Sequence, residues 1–407
     1  MFAVNFHFGP EIPLCLLLIF VFTLRFKVRP KAWVSIQVPA AKVWALLAPY
    51  DGKKDDWGTT QIVTNLVSAE TRSYAITYAT TQSNGTIRNF HAQFAVVESQ
   101  ENHLLVLKRE GLEGKSTNNE LLEISHELEP HGETTKLCTT YVWGSRPFLA
   151  QLLARADLWG GIYRIKGLAE TGKPDNKPYW IINGSVALIT ALISIAAFGL
   201  FTGWKFALIL VFALLVHEFG HLLAFKLIGQ PWGRIVFLPF LGAVAVPRLP
   251  YESQGQSVFA ALMGPGFSIL LAVACILPTL MDSPYALIFV IVGALTTALN
   301  AFNMLPAEPL DGGVALRSIL TRLVGPKAWS VLMGVGLLIV AYGIAAGQII
   351  IAIFGLIAVL ANLWRRKIDS GLAPLSSLQL SIAFFSYIAI AGAHITMMNW
   401  FLRQLLV

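Results

Sequence analysis

The chain has 407 residues, of which 55% are hydrophobic and 13% charged, and its formal net charge is +7. A soluble globular protein carries about 25% charged residues, so most of this chain is composed to face lipid. The positive charge does not mark a nucleic-acid partner: no basic patch is interleaved with aromatics, and much of the excess flanks apolar spans. Cys15, Cys138 and Cys275 lie far apart and offer neither a disulfide framework nor a Cys-based metal cluster.

In chain order, a short apolar run from Ile12 to Leu24 precedes Arg25, Lys27, Arg29 and Lys31. A cleaved signal peptide has its charge before the apolar run and small residues after it. The reversed order predicts a signal-anchor segment over residues 1–31 with its N-terminus outside. Residues 32–176 read as a soluble domain. An amphipathic stretch, Ala40–Leu47, is followed by alternating runs at Thr60–Val67, Ser73–Thr80, Ile87–Val97, Leu104–Arg109, Leu121–Glu129 and Lys136–Trp143, separated by turn signals. A final helix is expected from Pro147 to Glu170. This α+β order predicts an antiparallel sheet curved around the C-terminal helix.

From Tyr179 onward the pattern is that of membrane helices. Spans are expected near 179–201, 204–228, 257–280, 284–304, 328–345, 348–364 and 378–398, giving about eight with the N-terminal anchor. Residues 177–325 read as a transmembrane core and 326–407 as C-terminal transmembrane helices. The basic residues Arg234, Arg248, Arg317, Arg322, Lys327, Arg365, Arg366 and Lys367 fall on one side of this layout. The bias predicts that this side, with the soluble domain, is cytoplasmic, and that the chain is a multi-pass protein of the inner or plasma membrane.

The chemistry concentrates in Val216-His217-Glu218-Phe219-Gly220-His221, inside an apolar run. H-E-x-x-H on a helix stacks two imidazoles on one face, where both can bind one zinc ion, and sets a Glu where it reaches the metal's water. The bland alternative is polar decoration of a helix end. Against it, each charged group near a span's centre costs about 2.5–3.5 kcal/mol on insertion scales, and a dication supplies the partner this cluster needs. A third ligand should come from another helix at the same depth. Asp311 is the candidate, in Asn303-Met304-Leu305-Pro306-Ala307-Glu308-Pro309-Leu310-Asp311-Gly312-Gly313. Its prolines break the helix and its glycines permit a tight turn. Glu308 competes for the role but lacks the glycine pair behind it, and an ordinary polar loop is the bland reading.

These residues carry two resemblances. Residues 38–47, Val-Pro-Ala-Ala-Lys-Val-Trp-Ala-Leu-Leu, with the strand order that follows, resemble the START-like (polyketide cyclase-like) helix-grip domain, which implies a cradle for an apolar ligand. His217–His221 together with N-x-x-P-x-x-P-L-D-G-G resemble the two signature motifs of the site-2 protease family of intramembrane metalloproteases. That resemblance spans roughly residues 179–325. Phe237–Val244 resembles the family's hairpin after the H-E-x-x-H helix, and Ala261-Leu262-Met263-Gly264-Pro265 its A-G-P helix start, with Ser268 where an Asn is usual.

The resemblance implies Zn2+ held by His217, His221 and Asp311, with Glu218 as general base and Asn303 steadying substrate or oxyanion. For Asn303, a polar residue closing a helix end is an equal alternative. The implied activity is hydrolysis of membrane-anchored protein substrates within the bilayer, near its cytoplasmic side, under regulation by the START-like domain. The alternative is a membrane-anchored sensor of a lipid or other apolar ligand with a non-catalytic metal centre. A degenerate member should have lost the Glu or the Asp, and both are present. A transporter with ionisable groups in its path would leave the two spaced motifs unexplained. His394, alone in the last span, is not expected to bind metal.

Overall fold

The computed structural model describes residues 25–58, 60–81, 85–110, 121–240, 242–281, 284–308, 310–365 and 372–406. The expected anchor at Ile12–Leu24 lies outside the described residues, as do Pro309, Arg366 and Lys367. The chain divides into two compact units, one through Ser185 and one from Val186.

The first unit is a nine-stranded antiparallel sheet with two helices. Its elements are β1 (Arg25–Val28), β2 (Lys31–Ile36), α1 (Ala40–Leu47), β3 (Lys53–Asp56), β4 (Thr60–Ser68), β5 (Ser73–Thr81), β6 (Ile87–Gln100), β7 (Leu104–Arg109), β8 (Leu121–His131), β9 (Thr134–Pro147) and α2 (Phe148–Thr171). The order is β1-β9-β8-β7-β6-β5-β4-β3, and β2 pairs with β9 alongside β1. The six expected strands and the long helix are present. The sheet also takes in β1, whose basic residues were expected to flank the anchor, β2, and β3, whose Lys-Lys-Asp-Asp sequence carries no apolar period.

The core of this unit follows strand alternation. In β2, Ala32, Val34 and Ile36 are buried while Lys31, Trp33 and Ser35 are exposed. Together with Leu128, Leu137 and Val43 they pack against Leu158, Ile162, Ile165 and Ala169 of α2. Burying one such aliphatic side chain stabilises by about 1.5–3 kcal/mol, so the sheet–helix seam holds the unit together. Lys53 points inward, 4% exposed. Its Nζ donates to the carbonyls of Leu46 (2.6 Å) and Ala48 (3.0 Å) and pairs with Asp55. The charge thus closes the C-terminal end of α1, where the helix dipole is negative.

The second unit is helical. It contains the end of α3 (Lys177–Thr202), then α4 (Trp204–Leu227), β10 (Arg234–Leu238), β11 (Gly242–Val246), α5 (Gln254–Leu280), α6 (Ala286–Asn303), α7 (Asp311–Val324), α8 (Ala328–Ala345), α9 (Ile349–Arg365) and α10 (Ser377–Leu406). Six segments among the described residues are long and apolar enough to cross a membrane: 177–202, 204–227, 254–280, 286–303, 311–345 and 377–406. The apolar part of α9 is shorter. Leucines, isoleucines and phenylalanines of α3, such as Leu188, Ile189, Leu192 and Phe201, are exposed, as expected of a helix whose solvent is hydrocarbon.

Between α4 and α5 the chain forms the β10–β11 hairpin, in register from Arg234↔Val246 to Leu238↔Gly242. Ile235 and Phe237 pack on Val211 and Leu214 of α4. The Phe237 amide donates to Thr190 Oγ1 (3.1 Å), which ties β10 to α3. At the apex, Phe240 takes φ 65°, with its ring edge-on to Phe198 and Phe201.

Candidate metal centre

His217, Glu218 and His221 are buried on α4. One helical turn separates the imidazoles, and their Nε2 atoms lie 3.1 Å apart. Asp311 begins α7, and its Oδ2 is 3.1 Å from His217 Nε2 and 3.4 Å from His221 Nε2. The structure therefore brings together the four residues expected from sequence. Glu308 is directed elsewhere: its carboxylate is 2% exposed and meets Arg317 Nη1 at 3.2 Å. Asn303, half-buried at the last turn of α6, makes no hydrogen bond to the cluster among the described residues.

Close helix packing builds the site. A Cβ on Gly220 would strike the Met263 carbonyl, and one on Gly264 would strike the His221 ring. Glycine at both positions lets α4 and α5 approach until the imidazole lies on the α5 backbone. Gly312 and Gly313 do the same at the start of α7, where a Cβ would meet the backbone of Met304 and of Ala307–Glu308. Their absent side chains fold the 304–310 loop against the helix and aim Asp311 at the histidines.

The ring nitrogens facing away from the cluster are both occupied. His217 Nδ1 lies 2.7 Å from Asn300 Oδ1, and His221 Nδ1 lies 2.7 Å from the Ala260 carbonyl. Each Nδ1 must donate to its oxygen, so each neutral ring presents an Nε2 lone pair inward. Two lone pairs and a carboxylate oxygen then converge with no proton between them, an arrangement that needs a cation. The spacing fits one: ligands about 2.0–2.1 Å from a tetrahedral zinc ion are about 3.3 Å from one another. Glu218 accepts a backbone hydrogen bond from Ala245 of β11, while its Oε2 is buried without a partner. A buried carboxylate oxygen without a partner is costly and is positioned to take a proton. The Asp311 side chain is 20% exposed, so the cluster is not fully enclosed on its α7 side.

Sequence reasoning missed Asn300, one turn before Asn303 on α6. The available signal was an amide inside an apolar span, where a polar group persists only with a partner.

The second unit is thus helical and membrane-compatible, and its buried His–His–Asp cluster, with a carboxylate alongside, suits a divalent cation. Comparison with known proteins points the same way. The chain is 26% identical over 163 residues to a zinc metalloprotease of Methanocaldococcus jannaschii, a match covering 38% of this chain and 47% of that protein. It is 30% identical over 146 residues to a Synechocystis protein named as a candidate zinc metalloprotease, covering 34% and 38% respectively. The chain thus spans about half or less of the length of these curated relatives. Among solved structures, the site-2 protease of Methanocaldococcus jannaschii matches at 19% identity and a TM-score of 0.32, covering 46% of this chain and 91% of that one. A Polyketide_cyc-like protein of Corynebacterium glutamicum matches at 15% identity and a TM-score of 0.22, covering 39% and 90%. No protein-family model matches the chain. Over stretches of 163 and 146 residues the chain is thus similar to proteins named zinc metalloproteases.

Proposed function

We propose that the chain is an intramembrane zinc metalloprotease that cuts membrane-anchored protein substrates near the cytoplasmic side of the bilayer. The observation that carries this reading is the convergence of His217 Nε2, His221 Nε2 and Asp311 Oδ2 within 3.1–3.4 Å of one another, with both Nδ1 atoms already engaged. His217, His221 and Asp311 would hold the ion. Bound zinc supplies a Lewis acid for the scissile carbonyl and lowers the pKa of a coordinated water to about 7. Glu218 takes the proton of the attacking water through its partnerless Oε2 and returns it to the leaving amine. Asn303 would steady the substrate. A transmembrane helix hides its carbonyls in internal hydrogen bonds, so the substrate must unwind, and β11, beside Glu218, offers backbone to an extended segment.

The Lys/Arg bias supports a cytoplasmic soluble domain, residues 32–176, followed by the catalytic core over 177–325 and further membrane helices over 326–407, in an inner or plasma membrane. The soluble domain would regulate the protease, with an apolar molecule in its helix grip as the candidate ligand. The deciding test reconstitutes full-length protein in liposomes with a membrane-anchored substrate. Glu218→Gln should keep zinc and lose cleavage; normal cleavage by this variant would refute the assignment.

A further inference from the structure

We infer that Asn300 is a positioning residue for the metal centre: it fixes the tautomer of His217 and, through that hydrogen bond, sets the affinity of the site for its ion. The inference rests on the zinc reading above.

Asn300 is fully buried on α6. Its Nδ2 donates to the Thr296 carbonyl at 2.8 Å, and its Oδ1 lies 2.7 Å from His217 Nδ1. These two contacts determine which way the amide points. Rotated by half a turn, it would set oxygen against the Thr296 carbonyl oxygen, so the observed orientation is the one with donors opposite acceptors. With Oδ1 held toward the ring, Nδ1 must carry the proton and Nε2 must be bare. Were Nε2 the protonated nitrogen, N–H would point into the metal position and Nδ1 would face Oδ1 with no hydrogen between them. In a buried, apolar setting that loss costs about 1–3 kcal/mol.

The two histidines differ in this respect. His221 is oriented by a backbone carbonyl, that of Ala260, which no substitution at residue 260 removes. His217 is oriented by a side chain. Among the described residues, Asn300 is therefore the one side chain that receives a hydrogen bond from an Nδ1 of the pair. It also joins the two motifs mechanically, since α6 leads into the loop that delivers Asp311. Outer partners of metal-bound histidines orient the ring and raise its basicity, and their loss usually costs 10–100-fold in metal affinity.

The test measures zinc affinity of full-length detergent-solubilised protein by competition with a chromogenic chelator. The variants are Asn300→Leu, Asn300→Asp and Glu218→Gln, with thermal unfolding monitored in parallel. Asn300→Leu should weaken zinc binding by about 10–100-fold. Asn300→Asp keeps an acceptor against Nδ1, though its second oxygen replaces the donor to the Thr296 carbonyl, and should bind zinc more tightly than Asn300→Leu. A role in helix packing alone predicts the reverse order, because leucine suits an apolar helix interface and a buried carboxylate does not. Wild-type affinity in Asn300→Leu would overturn the proposal. If Asn300→Leu fails to fold, a folded Asn300→Asp that has lost zinc would overturn it equally. Failure of the wild type itself to bind zinc would instead refute the metalloprotease reading, while Glu218→Gln controls for polar change that leaves the ligands in place.

Discussion

Asp311 Oδ2 lies 3.1 Å from His217 Nε2, although the two side chains come from different helices, α7 and α4. No hydrogen-bond donor between them explains the approach if both rings carry their proton on Nδ1. The contact is one that a cation shared by the two groups would hold together. Asp311→Ala should reduce bound zinc far below one ion per chain, as measured by elemental analysis after extensive dialysis. Stoichiometric zinc in this variant would show that the ion is held by other groups.

Glu308 separates the ligand role from the structural one in the same loop. Its carboxylate is buried against Arg317, so it braces the loop rather than joining the cluster. Glu308→Gln should keep zinc at the wild-type level and lower stability by about 1–3 kcal/mol, the range for weakening a buried charge-assisted hydrogen bond. Elemental analysis and thermal unfolding of the same preparation would read both quantities. Loss of zinc without loss of stability would return Glu308 to the list of ligands.

The sequence made some of this legible and hid the rest for physical reasons. H-E-x-x-H declares its geometry because helical spacing alone stacks His217 over His221. Asp311 was legible because a Pro break and a Gly pair next to a carboxylate are costly to keep in a span without purpose. A hairpin was expected at Phe237–Val244 from the resemblance, and the structure has paired strands at Arg234–Leu238 and Gly242–Val246. By contrast, β1 and β3 were missed: Arg-Phe-Lys-Val alternates but is only four residues long and its basic residues read as the flank of the apolar run, while Lys-Lys-Asp-Asp has no apolar residue; their pairing is decided by β9 and β4 across the sheet. Asn300 was missed because a hydrogen bond between α4 and α6 has no sequence period. Only the rotation of α6 reveals that residue 300, and not 303, faces the histidine.

Glycine positions on α5 offer a contrast within one turn. A Cβ at Gly264 would overlap the His221 imidazole, whereas one at Gly266 would rest 3.5 Å from Ile390 Cδ1, an ordinary contact. Alanine is favoured over glycine in helices by about 1 kcal/mol. Gly266→Ala should therefore be neutral or slightly stabilising, with normal zinc content. Gly264→Ala should push His221 off its position and lower zinc affinity by at least 10-fold, comparable to losing an outer partner. Zinc titration of the two variants side by side would settle the matter, and equal behaviour would show that α4 and α5 are free to separate.

In the soluble unit, His126 ties stability to pH. It is 6% exposed on β8, its Nδ1 is 2.9 Å from Thr139 Oγ1 on β9, and burial pushes its pKa from 6.5 down to about 4. The unfolded chain, where histidine titrates near 6.5, binds a proton between pH 6.5 and 4 that the folded sheet refuses. Stability is thus unaffected by this group above about pH 6.5 and falls as the pH drops toward 4. At 1.36 kcal/mol per unit, the loss by pH 5 is about 2 kcal/mol. Amide hydrogen exchange of β8 and β9, corrected for intrinsic rates, should show that loss between pH 7 and pH 5. His126→Gln, which has no proton to accept, should show a flatter dependence even if it starts less stable. Parallel slopes in the two proteins would place the acid sensitivity elsewhere in the sheet.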